Sequence, residues 1–226
     1  MRYAIYFMPD IADPLWAFGC SVLGYDAASG QDVAFPDGED FASLPMAEWT
    51  SDPRLYGFHA TLKAPFELAP GCDAAGLLAA ARRFAGGRQA FTLAPLALAK
   101  MGRFIALTPS QPSPALQALA DDCVRDFDGF RAPLDPLDRA RRLRHPLPER
   151  QVQHLDRWGY PYVLQDFTFH MTLSCGLGEP DRSHFHAMLV SAYAPLSRPL
   201  LVDAIAVFAQ PDRLARFRLV ERVAFS

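Results

Sequence analysis

Apolar and polar positions alternate over several short stretches of this chain, and stretches of helical period separate them. Residues 3–7 form an apolar run of strand length. Asp13-Pro14 supplies an N-cap with proline at the first helical position, and Leu15, Trp16, Phe18, Val22 and Leu23 give the following helix an apolar face. Residues 30–52 are polar and rich in turn formers, which predicts a long surface loop. A strand is expected at residues 58–63, then an alanine-rich helix from Cys72-Asp73 to Gly86-Gly87. Residues 91–99 and 104–108 flank Lys100-Met101-Gly102-Arg103 as the arms of a β-hairpin. Ser113-Pro114 opens another capped helix, and Gly159 closes one expected over residues 148–158.

The same order then returns. Residues 167–174 read as a strand, Asp181 caps a helix running to about Tyr193, and residues 200–209 and 215–224 flank a second hairpin turn. His59 precedes Phe91 by 32 residues, and His170 precedes Leu200 by 30. This predicts a diverged internal duplication with motif units at about 58–108 and 167–225, inside a single bilobal domain spanning 1–226. The expected fold class is α+β, with two lobes that each carry an antiparallel sheet and helices.

The most regular alternation is also the chemically loaded one. Phe58-His59-Ala60-Thr61-Leu62 and Phe169-His170-Met171-Thr172-Leu173 occupy matching places in the two units. Alternate side chains of a strand share a face, so the phenylalanines and leucines point to the core. The opposite face carries His59, Thr61 and Lys63 in one unit, and His170, Thr172 and Ser174 in the other. A lone H-x-T on a strand is more often a surface feature. Two copies with the same flanks favour two imidazoles facing one groove. Histidine's ordinary pKa of about 6.5 lets one ring take a proton while the other gives one. Threonine hydroxyls can donate to phosphoryl oxygens between them.

These paired FHATL and FHMTL segments resemble the H-x-[ST]-x signatures of the two-histidine (2H) phosphoesterase superfamily, which includes LigT-like RNA phosphodiesterases. YAIYFMP, YGFHATLKAPF and RWGYPYVLQDFTFHMTLS are more similar to a bacterial branch found in phosphonate-utilisation operons. The resemblance covers nearly the whole chain. It implies the duplicated bilobal fold, H-x-T strands facing a central groove, and catalytic roles for His59, Thr61, His170 and Thr172. It also implies a hydrolase that opens a small cyclic phosphodiester without metal or cofactor. Its partner would be a small phosphorylated or cyclic-phosphate substrate.

Lys63, Tyr6, Tyr160 and Tyr162 are candidate substrate contacts: Lys63 by its place on the His59 face, the tyrosines by their nearness to the motif strands. The basic run 138–145 is expected to be a solvated helix face. His184 and His186 fall two apart in an expected helix and so do not share a metal-binding face. Cys20, Cys72, Cys123 and Cys175 have neither zinc-site nor disulfide-framework spacing. There is no Gly-rich phosphate loop. No stretch approaches the roughly 18 apolar residues of a membrane span, and the opening run is too short for a signal core, so a cytoplasmic location is expected. A net charge of −3 argues against an extended nucleic-acid partner. Two other readings remain: a non-catalytic nucleotide or phosphosugar binding module, and an RNA-end-processing 2H enzyme.

Overall fold

The computed structural model describes residues 1–226. Seven strands, β1 (Arg2–Phe7), β2 (Ala60–Glu67), β3 (Leu96–Met101), β4 (Phe104–Pro109), β5 (Met171–Thr172), β6 (Ala204–Gln210) and β7 (Arg218–Ala224), form one sheet. Their spatial order is β7-β6-β1-β2-β5-β4-β3, and every neighbouring pair is antiparallel. Six longer helices accompany them: α1 (Pro14–Leu23), α2 (Ala74–Ala85), α3 (Pro114–Asp126), α4 (Pro136–Arg142), α5 (Glu149–Trp158) and α6 (Asp181–Tyr193). The α+β class with antiparallel pairing is as the sequence pattern predicts. None of the helices is long and apolar enough to cross a membrane.

The two units exchange their parts. Hairpin β3–β4 of the first unit pairs with β5 of the second, through Ala106↔Thr172 and Leu107↔Met171. Hairpin β6–β7 of the second unit pairs with β1, which in turn borders β2. The helices follow: α2 packs on β6–β7, and α6 packs on β3–β4. Each side of the sheet is therefore built from both units. The two sides meet where β2 and β5 pair through Ala60↔Met171, the equivalent central residues of the two motifs. Residues 91–93 and 200–202 pair with each other in the register Phe91↔Val202, Thr92↔Leu201, Leu93↔Leu200. Both pairings are what an approximate two-fold axis between related units requires.

Local chemistry explains the elements that hold the motif strands. The Asp13 carboxylate accepts from the Leu15 N–H at 2.9 Å, and Gly24 ends α1 in the left-handed region at φ 67°. Gly19 of α1 lies directly over the Phe58 ring, where an added Cβ would come within 2.2 Å of ring carbons. This contact lets Phe58 bury completely, as Ala60, Met171 and Leu173 also do to within 2% exposure. Each such large side chain contributes roughly 1.5–3 kcal/mol.

The structure revises three expectations. The expected 91–99 strand divides into the inter-unit ribbon and β3, because its first part pairs with the other unit. Regular pairing in the second motif is confined to Met171–Thr172, although the Leu173 N–H still donates to the Ile105 carbonyl at 2.9 Å. Two four-residue helical turns lie in the expected loop of residues 30–52, and a third, Ser51–Arg54, begins at its end. The basic run expected to lie on a helix does so in α4, with Asp135 as its N-cap and Pro136 in its first turn.

Candidate active site

His59 and His170 are held by the same device. The Nδ1–H of His59 donates to the Gly57 carbonyl at 2.9 Å, and that of His170 to the Thr168 carbonyl at 2.8 Å. A carbonyl only accepts, so in both rings Nδ1 carries a proton and Nε2 is the nitrogen left for other partners. Gly57 turns its carbonyl toward His59 by adopting φ 76°, a conformation suited to glycine. His59 Nε2 lies 3.1 Å from the Thr61 hydroxyl, which donates to it. Both histidines, Thr172 and Tyr56 line one cleft of about 310 Å³. His59, Thr61 and Thr172 also line a larger adjoining cavity of about 490 Å³.

The two rings differ in their surroundings. Tyr6 stacks on His59 with centroids 3.6 Å apart and planes at 22°. Phe208 and Tyr56 close in at 6.5 and 6.4 Å. The only aromatic neighbour of His170 is Phe104, at 5.8 Å. Burial dominates at His59 and lowers its pKa to about 4; the Gly57 carbonyl opposes this, and the positive charge that His170 can carry adds to it.

This shift has a consequence for stability. An unfolded chain binds a proton at His59 below about 6.5, whereas the folded chain does so only below about 4. Between those values the unfolded state holds the extra proton, so stability falls as pH drops from 6.5 toward 4, by up to about 3 kcal/mol. Urea denaturation at pH 7 and pH 4.5 should show a larger acid-induced loss for the wild type than for His59→Asn. Equal losses would mean that His59 protonates normally in the fold.

Of the other candidates, Tyr6 and Tyr160 line the larger cavity. Tyr6 is fully buried, its hydroxyl has no hydrogen-bond partner, and burial raises its pKa. Tyr162 stays outside: its side chain is exposed and meets Tyr160 edge-on at 5.5 Å.

Lys63 is a correction. It is buried on the other side of β2, where its Nζ donates to the Val124 carbonyl at 2.9 Å and to Asp128 Oδ1 at 3.2 Å. The cause is a bulge: Tyr6 is opposite Thr61 while Ile5 is opposite Lys63, so two steps on β2 match one step on β1. The extra residue reverses the alternation after Thr61. Ala64, not Lys63, lines the cavity.

Sequence reasoning passed over the cavity's arginines. Arg2, Arg141, Arg142 and Arg213 line it, and no carboxylate does. The basic run is solvated only in part: Arg139 turns outward to Asp156 at 2.6 Å, whereas Arg141 and Arg142 face inward.

The family described as "Protein of unknown function (DUF1045)" matches residues 61–218. A ribose 1,5-bisphosphate phosphokinase PhnN of Janthinobacterium sp. (strain Marseille) is 36% identical over 237 residues, covering 100% of this chain and 51% of the relative. The protein of the same name from Laribacter hongkongensis (strain HLHK9) is 35% identical over 224 residues, covering 99% of this chain and 52% of the relative. The chain therefore spans about half the length of these curated relatives. Two crystal structures align with TM-scores of 0.45 over 100% of this chain and 98% of theirs: E. coli LigT complexed with 3'-AMP, at 15% identity, and a phosphoesterase, at 13%. With the family match covering both threonines of the paired motifs and most of the sheet, the chain belongs to the DUF1045 family.

Proposed function

We propose that this protein is a two-histidine phosphodiesterase that opens a small cyclic phosphodiester without a metal. The observation that carries the reading is the matched pair of imidazoles, each with its Nδ1 tied to its own i−2 carbonyl, on one cleft. His59 is the general base, because burial keeps it neutral. Its Nε2 takes a proton from water as the water oxygen bonds to phosphorus. His170, with Phe104 as its aromatic neighbour, gives its Nε2 proton to the leaving sugar oxygen as the P–O bond breaks. Thr61 and Thr172 donate to the non-bridging oxygens, Thr61 by turning its hydroxyl from His59 to the substrate.

The relatives' name supports a sugar phosphate as substrate. The name is a kinase's, but this chain spans only about half of those proteins and has no Gly-rich phosphate loop, so the proposed activity is a different one from the kinase's. Ribose 1,5-bisphosphate would arise when water opens a 1,2-cyclic phosphate of 5-phosphoribose at O2. Such a reaction would supply what those kinases consume, and it fits a role in phosphonate utilisation.

The test is turnover. Ribose 1,2-cyclic phosphates, nucleoside 2′,3′-cyclic phosphates and 3′,5′-cyclic phosphates are incubated with the purified protein, before and after exhaustive chelation. A small cyclic phosphate should be opened at a rate that chelation leaves unchanged. Loss of activity on chelation would end the two-histidine mechanism. Absence of turnover across the whole set, with binding retained, would favour a binding module.

A further inference from the structure

We propose that the arginine-lined cavity beside the histidines is a separate subsite for a phosphomonoester on the same molecule as the cyclic diester. This rests on the proposed phosphodiesterase reading and adds to it the residues that select the substrate.

The charge balance carries the argument. Four arginines line the cavity and no acid does, in a chain whose net charge is −3. Arg141 and Arg213 are already paired with Asp138, at 2.9 and 2.6 Å. Arg2 and Arg142 have no carboxylate partner. Arg2 donates through Nε to the neutral Gln210 Oε1 at 2.8 Å, and its guanidinium lies 5.6 Å over Phe217. Arg142 lies 5.1 Å over the Tyr160 ring, and its Nε is sealed from solvent without any acceptor. Arg88 and Arg222 also have an unbonded Nε, but each is neutralised by an aspartate. Arg142 has no carboxylate at ion-pair distance; Asp138, whose charge reaches it, is already engaged by Arg141 and Arg213.

A buried cation without a counter-charge is costly unless a ligand supplies the charge. The Tyr6 hydroxyl is a second unsatisfied group in the same cavity, on a side chain with no exposed surface. Two uncompensated guanidiniums and one free phenol donor match a phosphate dianion in charge and in hydrogen-bond sense. The lining offers no carboxylate or amide to read the edges of a nucleobase. Tyr56, His59 and Thr172 line both this cavity and the reaction cleft, and Thr61 lines the cavity beside His59. One small molecule can therefore place its diester at the histidines and its monoester among the arginines.

The experiment compares ribose 1,2-cyclic phosphate with its 5-phosphorylated form, in the wild type, Arg142→Gln and Arg2→Gln. The wild type should prefer the 5-phosphorylated compound by about 100-fold or more in kcat/KM. Each substitution should reduce that preference by about 10- to 100-fold, the scale of a lost charged hydrogen bond. Arg142→Lys should retain part of it. Thermal melts establish that the variants are folded. Calorimetric titration with ribose 5-phosphate tests the subsite apart from turnover. Binding in the wild type that is lost in Arg142→Gln supports the subsite even if no cyclic phosphate is hydrolysed. Inorganic phosphate binding as tightly as ribose 5-phosphate would make this a free-anion site and overturn the proposal. So would a wild type that neither discriminates between the two substrates nor binds ribose 5-phosphate.

Discussion

His59→Ala and His170→Ala should each lower kcat by roughly 100-fold or more, the usual scale for losing a positioned proton donor or acceptor. The two changes should also differ in kind. Because burial holds His59 neutral down to about pH 4, the acidic limb of the wild-type kcat/KM profile should lie near that value. His59→Ala should remove that limb, and His170→Ala should remove the basic one. The two limbs belong to a coupled pair, so the variants and not the wild-type profile assign them. The double variant should lose far less than the product of the single losses, since base and acid act in one step. Thr61→Ala and Thr172→Ala should cost about 10-fold each, the worth of one hydrogen-bond donor. A folded histidine variant with near-wild-type turnover would sink the mechanism, and unchanged limbs in both variants would sink the assignment of base and acid.

The paired motifs were legible because everything they require is local. Strand alternation places Phe58 and Ala60 in the core and leaves His59 and Thr61 on the open side, and the tautomer-fixing carbonyl lies only two residues before each histidine. Lys63 was misread because its orientation depends on a second strand. Only the mismatch of β1 against β2 reveals the bulge that turns it away. Arg2, Arg142 and Arg213 lie on a strand start, a short helix and a hairpin tip far apart in sequence. Their convergence is a product of tertiary folding. The run 138–145 announced its charge but not which of its arginines face inward. The hairpin exchange was illegible for a similar reason: periodicity marks β3–β4 and β6–β7 as hairpins but carries no information about which strand borders them.

The bulge that removes Lys63 from the groove gives it another role, and Asp128→Ala should reveal it as a loss of about 3–5 kcal/mol in stability. Asp128 Oδ1 accepts from Lys63 at 3.2 Å and from Arg131 at 2.9 Å, while Oδ2 accepts from Arg157 at 3.0 Å. The Lys63 side chain is 4% exposed and that of Asp128 13%. Burial lowers the Lys63 pKa to about 8, against the pull of Asp128. Without the carboxylate, the ammonium would keep only the Val124 carbonyl. Lys63→Met should cost less than Asp128→Ala, because Asp128 would still have two arginines. Adding Lys63→Met to Asp128→Ala should restore part of the stability, since the uncompensated buried charge is then gone. The cluster also reaches the cavity. Arg131 spans from Asp128 to the Arg157 carbonyl and packs on Gly159, the residue before Tyr160. Asp128→Ala should therefore weaken ribose 5-phosphate binding as well, through the loosened seat of Tyr160. Urea denaturation of the four proteins measures the cycle. A double variant no more stable than Asp128→Ala alone would show that the loss comes from Arg131 and Arg157, not from a stranded Lys63.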